Sequence, residues 1–285
     1  MSLEDDFKKE IPHVLVLGIL LLILLVVVTK FKWVHCSQVP GDWCNVYCGI
    51  MGNSRVAIVS GANGTGDPSA LFNLTSNLRQ HTLLEPYPDS ALSASILENY
   101  ELVVFERMQD ITPNQMNAIM QYLDRGGSVI WVADAGTRHY LSPMDLLDAR
   151  NRNESDPGYY EWFVKEINTT KGFGDLSSLL KVSYQGIENG TDVRLLVSDR
   201  NSLMAQGLNA SFSIDAKQVA IVNTDVSEAT IVYSLYGTKS CTFERPCPAV
   251  VARKYAGWVV YTAFPPEEIR SQTALNNLFD FLVTC

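Results

Sequence analysis

The feature that most constrains this chain is an apolar run near its start. Val14 to Val28 is unbroken except for Gly18, and Ile11 to Thr29 extends the run to 19 residues. A helix rises about 1.5 Å per residue, so this length nearly covers a bilayer core of about 30 Å. Phe31, Trp33 and Val34 add an interfacial turn, with Lys30 and Lys32 placed to snorkel. A cleaved signal peptide is the competing reading, but the residues that follow, "KFKWVHC", contain no small-x-small cleavage site. The expectation is a retained membrane anchor at 11–34, preceded by a short cytoplasmic tail at 1–10.

Lysines flank the run on both sides (Lys8 and Lys9, Lys30 and Lys32), so charge alone does not orient it. Two other features do. All six cysteines, Cys36, Cys44, Cys48, Cys241, Cys247 and Cys285, follow the run, as suits disulfides in an oxidising compartment. Six N-x-S/T sequons follow it too, at Asn63, Asn73, Asn153, Asn168, Asn189 and Asn209. The expected arrangement is single-pass in the cell membrane, with a cytoplasmic N-terminus and an extracytoplasmic, N-glycosylated bulk. An archaeal cell surface or an endomembrane lumen would suit it.

Cys36, Cys44 and Cys48 lie in a Pro/Gly-containing stalk, 35–53. Their spacing falls short of a zinc site, for want of a paired His or a second close Cys pair. Cys241 and Cys247 flank "TFERP", a loop a disulfide would close, and Cys285 is placed to pair back to the stalk; the sequence leaves the connectivity open. With a net charge of −9 and no Lys/Arg cluster, nucleic acid is not an expected partner. The expected partners are the bilayer, other membrane or envelope proteins, and a glycan.

From residue 54 onward, strands alternate with helices. "RVAIVSG" and "ELVVFER" read as buried strands. "DPSALFNLTSNLRQ" is a helix with Asp67 as N-cap and Pro68 at its first position, and "ALSASILENY" a weaker one. In "DITPNQMNAIMQYLDRGG", Thr112 and Gln115 form a capping box, Met116, Ile119, Met120 and Leu123 form an apolar stripe, and Gly126 and Gly127 stop the helix in left-handed conformations. "SVIWVADAG" is the next strand. Residues 137–190 read as an irregular surface insertion, with "YYEWFVKEIN" a possible helix within it. Alternating strands follow, with "RKYAGW" as a hairpin turn, and "QTALNNLFDFLV" closes the chain as an amphipathic helix. This pattern predicts an α/β domain at 54–285, doubly wound around a mostly parallel sheet.

The stretch "ELVVFERMQDITPNQMNAIMQYLDRGGSVIWVADAG" resembles the core of class I glutamine amidotransferase-like domains, including their trehalose-utilisation-like relatives. "PAVVARKYAGWVVYTAFPPEE…LNNLFDFLV" resembles the far end of the same flavodoxin-like fold. Catalytic members carry a cysteine at a G-x-C-x-G elbow and an F-H-P-E motif whose His activates it. Here the elbow matches "VADAG", with Asp134 at the cysteine position, and the second motif reads Phe264-Pro265-Pro266-Glu267. A carboxylate is a poor amide-attacking nucleophile, and proline cannot act as a base. The resemblance therefore implies a catalytically degenerate domain with no cofactor, serving as a binding or scaffold module.

The competing function is an extracellular hydrolase or sugar-modifying enzyme that uses Asp134, His139 or Glu267. Against Asp134 stands a role as helix cap or turn residue. Against a His-rich metal site stands the count of four histidines, one of them, His13, in the anchor. The Gly-rich "SGANGTGDPS" lacks both G-x-G-x-x-G order and a Gly-Lys-Ser/Thr, and reads as a βα turn. Trp131, Tyr140, Tyr159, Tyr160 and Trp162 are candidates for an aromatic surface, with Trp131 better suited to the core.

Overall fold

A computed structural model describes residues 3–30, 34, 36, 39–78 and 82–283. The expectations for Phe31, Lys32, Trp33 and Cys285 lie outside the described residues, as do the first two positions of the tail. The chain divides into two compact units, meeting at Asn53 and Ser54.

In the first unit, α1 (Leu3–Lys30) contains one stretch, His13–Lys30, with a mean hydropathy of 2.7, long and apolar enough to cross a membrane by length and composition. The expected stalk contains a second helix, α2 (Trp43–Met51). Trp43, Tyr47 and Cys48 are buried there, with Leu25 and Val26 of α1 packed against them. The Trp43 indole N–H donates to Thr29 Oγ1 at 3.1 Å, and that hydroxyl donates to the Leu25 carbonyl at 2.8 Å. A disulfide joins Cys36 to Cys44, and Cys48 is also disulfide-bonded. Trp43 and Tyr47 of α2 are buried through these tertiary contacts, which a linker reading of its short, Cys-containing sequence does not anticipate.

The second unit is built on one nine-stranded sheet. Its parallel half comprises β1 (Ser54–Ser60), β2 (Thr82–Pro88), β3 (Leu102–Glu106) and β5 (Ser128–Val132). The antiparallel half comprises β8 (Arg194–Val197), β9 (Ser211–Ser213), β11 (Thr230–Tyr236) and β12 (Cys247–Lys254). β13 (Trp258–Thr262) joins the halves, and the spatial order is β2-β1-β3-β5-β13-β12-β11-β8-β9. β13 pairs in parallel with β5 and antiparallel with β12, through the hairpin expected at "RKYAGW". Two small sheets complete the set: β4 (Asp110–Ile111) with β6 (Arg138–His139), and β7 (Val182–Asn189) with β10 (Gln218–Thr224).

Every residue of β3 and β5 is buried, as expected for central strands covered on both faces. Trp131 lies in this core against Phe105, ring centroids 4.8 Å apart, and its indole N–H reaches the Ala135 carbonyl at 2.5 Å. The helices of this unit are α3 (Pro68–Leu78), α4 (Ala94–Leu97), α5 (Pro113–Asp124), α6 (Pro143–Asn153), α7 (Tyr159–Thr169), α8 (Leu176–Leu180) and α9 (Gln272–Leu282). The capping box of α5 forms in both directions: Gln115 N–H to Thr112 Oγ1 at 3.2 Å, and Thr112 N–H to Gln115 Oε1 at 2.9 Å.

Two expectations need correcting. Residues 137–190 are not an irregular insertion: they contain α6, α7, α8 and β7. α6 starts on a capping box of its own, Ser142 with Asp145, and the buried Asp145 also accepts the Asn114 N–H at 3.1 Å. Its polar sequence hides a helix that is fixed at its first turn. At the end of α5, only Gly126 is left-handed, with φ +91. Gly127 is required for space, since a Cβ there would stand 2.2 Å from the Tyr122 ring.

Candidate functional site

The carboxyl ends of β1, β3, β5 and β13 converge at one edge of the sheet, where folds of this architecture place ligands. Four loops meet there. The loop after β1 runs through Gly61, Gly64 and Gly66; the last two have φ +122 and +116. It lies so close to its neighbours that a Cβ on Gly66 would stand 2.3 Å from Glu106 Oε1. Backbone bonds fix it further: Arg107 N–H to the Thr65 carbonyl at 3.1 Å, and Gln109 N–H to the Asn63 carbonyl at 2.8 Å.

Asp134 and Glu267, both singled out in the sequence, hold this same loop. Asp134 is 4% exposed, and its Oδ1 accepts the Thr65 N–H at 2.9 Å while Oδ2 accepts from the Gln109 amide at 3.0 Å. Glu267 Oε1 accepts the Asp67 N–H at 2.7 Å. Asp67 in turn caps α3, accepting the N–H groups of Ser69 and Ala70. The two carboxylates thus grip the loop at positions two residues apart.

The backbone around Asp134 keeps one feature of a strand-to-turn elbow. Ala133, directly after β5, has φ +49. Its N–H donates to the Thr262 carbonyl at 2.7 Å and its carbonyl accepts the Tyr261 hydroxyl at 3.0 Å. A turn over Ala133–Gly136 follows and leads into β6, with no helix directly after it. Pro265 is buried, and the Glu267 position falls in a 3-10 turn, Pro266–Glu268.

Glu106 is the main residue that sequence reading missed. It ends β3 with no solvent exposure, and neither Oε atom has a hydrogen-bond partner of good geometry among the described residues. Burial, then the neighbouring charge of Glu267, pushes its pKa up to about 10, so it is a neutral acid at pH 7. Glu267 is itself raised, chiefly by burial. Glu268 is pushed to about 7 by burial and by Glu267. The one sequence signal for Glu106 was a lone acid ending the otherwise apolar "LVVFE".

His139 does not join Asp134 and Glu267. Its Nε2–H donates to the Gly172 carbonyl at 3.2 Å, and it lines a cleft between α5 and α7 with a volume of about 400 Å³. A second cleft of about 290 Å³ lies beside it, lined by Asp145, Asp148 and Arg152. Among the described residues, no group of three or more His, Cys, Asp or Glu side chains is arranged to hold a metal ion. A further disulfide joins Cys241 to Cys247. Asn63, Asn73, Asn168, Asn189 and Asn209 are exposed, whereas Asn153 is half-buried and its Oδ1 accepts the Gly158 N–H at 2.9 Å.

The architecture has counterparts among solved structures. A ThuA-like protein from Bacteroides uniformis superposes with a TM-score of 0.53 at 13% identity, over 80% of this chain and 89% of that one. The likeness is one of fold. β-Galactosidases from Bacillus circulans sp. alkalophilus and Rahnella sp. R3 also match, each with a TM-score of 0.54, at 13% and 14% identity. They cover 82% and 84% of this chain, which spans 32% of each galactosidase. No family model matches the chain, and no curated protein matches it in sequence. The expected α/β fold is thus present, in the form shared with the ThuA-like structure.

Proposed function

We propose that this protein is a single-pass, membrane-anchored, N-glycosylated extracytoplasmic module that binds a partner without catalysing a reaction. One observation carries the reading. Asp134 and Glu267, at the positions matching a catalytic elbow and an F-H-P-E motif, both accept backbone N–H groups of the loop after β1. A carboxylate engaged in holding this loop is not free to attack a substrate or move its proton. Pro265, between them in role, offers no base.

The location rests on the candidate span His13–Lys30 and on disulfides both beside it and far from it in sequence. The N-terminus is then cytoplasmic and the α/β domain outside, with other membrane or envelope proteins as partners. An enzyme using Asp134, His139 and Glu267 together finds no support in the geometry, because His139 points into the α5–α7 cleft.

The test uses the full chain in mild non-ionic detergent. Chromogenic amide, ester and glycoside substrates are assayed alongside cross-linking and mass spectrometry of co-purifying proteins. The expected result is no turnover above buffer, together with a reproducible membrane or envelope partner. Turnover that Asp134→Ala or Glu267→Ala abolishes would overturn the proposal.

A further inference from the structure

The cleft between α5 and α7 has a lining that the fold itself does not need. α7 has no fully buried residue, yet Tyr159, Trp162 and Phe163 all face into the cleft. Trp162 is 57% exposed, so a large aromatic face is left in water rather than spent on the core. Across from it, α5 contributes the half-buried Met116 and Met120, polarizable and adaptable side chains.

The aromatic wall is braced from outside. Phe163 stacks on Tyr159 with centroids 5.7 Å apart and planes 14° from parallel. The Arg152 guanidinium lies 4.3 Å from the Tyr159 ring centroid, and Arg152 belongs to the neighbouring cleft. Tyr159 is thereby occupied, while Trp162 and Phe163 keep faces for a ligand. The wall already holds one cation on its far side.

The charge of the lining has one sign. Glu166 and Asp175 contribute carboxyl groups, and no Lys or Arg lines the cleft. His139 is the other side chain there able to carry positive charge. Burial lowers its pKa, so it stays neutral at pH 7.

From this geometry we infer that the cleft binds an organic cation, an ammonium or guanidinium group on a short apolar stem. The charge sits against Trp162 and Phe163, with Glu166 and Asp175 as counter-charges, and the stem lies along Met116 and Met120. Aromatic faces attract cations through their quadrupole, most strongly where water is partly excluded. At about 400 Å³ the cleft is near the lower end of small-ligand sites, which run from about 300 to 1,000 Å³. This inference rests on the reading of the chain as a binding module and names the chemistry it binds.

The full chain in non-ionic detergent is titrated by calorimetry with three compounds: choline, its neutral isostere 3,3-dimethylbutan-1-ol, and a short arginine-containing peptide. At least one cation should bind about tenfold or more tightly than the isostere. Glu166→Gln combined with Asp175→Asn should erase that preference. Trp162→Ala should abolish binding with the thermal midpoint unchanged, since its side chain is exposed. Binding of choline alone assigns the site to a free molecule, and binding of the peptide alone assigns it to a basic side chain of a partner protein; both support the inference. Equal binding of the isostere, or binding of neither cation, overturns it. That failure would leave the proposed function intact, because the latter fails through substrate turnover.

Discussion

Glu106 ends a strand whose other residues are all buried and apolar, and Glu267 faces it. Its folded pKa lies far above the ordinary carboxyl range, because burial and the Glu267 charge both disfavour ionisation. Since the unfolded chain releases this proton near pH 4.3, the stability Glu106 contributes is complete below that value. It is lost as the pH climbs from there toward about 10. Glu268, raised to about 7, adds a loss of the same sign between about pH 4.3 and 7. Scanning calorimetry should therefore show the thermal midpoint falling from pH 5 to pH 8. Glu106→Gln, which keeps the shape without the titration, should flatten that fall and raise the midpoint at pH 8 by several degrees. A flat wild-type profile would mean that Glu106 ionises like an exposed acid. Asp134→Ala strips acceptors from the Thr65 N–H and the Gln109 amide, and should cost about 1–3 kcal/mol in chemical denaturation. A change below about 0.5 kcal/mol would remove the clamp from the account.

At the level of elements, the parts legible in the sequence were those whose cause is local. β3 and β5 are short apolar runs ended by turn residues, and α5 announces itself through Thr112, Pro113 and Gln115. Thr112→Ala should lower stability by about 1 kcal/mol, read as a drop of roughly 2–4 °C in thermal midpoint; no change would show the capping box to be dispensable. Elements fixed by distant contacts were not legible. α2 buries Trp43 and Tyr47 against α1, and α6 is pinned by Asp145 on the Asn114 N–H. β2, with Pro86 and Pro88 in its seven residues, survives because it is an edge strand. The candidate site divides the same way. Asp134 and Glu267 stood out by alignment to a motif, and the Gly-rich loop as a βα turn, but not the bonds joining the two carboxylates to that loop, which span 69 and 200 residues.

Across the whole molecule, a sheet edge of the kind that commonly receives ligands is covered by its own β1 loop, while an open aromatic cleft lies on the helical side. Sequons distribute over the second unit, and their environments differ. Glycopeptide mapping of protein from its native membrane should find glycans among Asn63, Asn73, Asn168, Asn189 and Asn209, with Asn153 unmodified because its side chain caps the start of α7. Occupancy at Asn153 alone would contradict that ordering. The central claim is that Asp134 and Glu267 serve to hold the loop shut. Hydrogen exchange of the full chain, resolved at the Thr65 and Asp67 amides, tests it most directly. The account predicts slow exchange at both amides in the wild type, lost at Thr65 in Asp134→Ala and at Asp67 in Glu267→Ala. Fast exchange at both amides in the unaltered protein would mean that the edge stands open, and would contradict it.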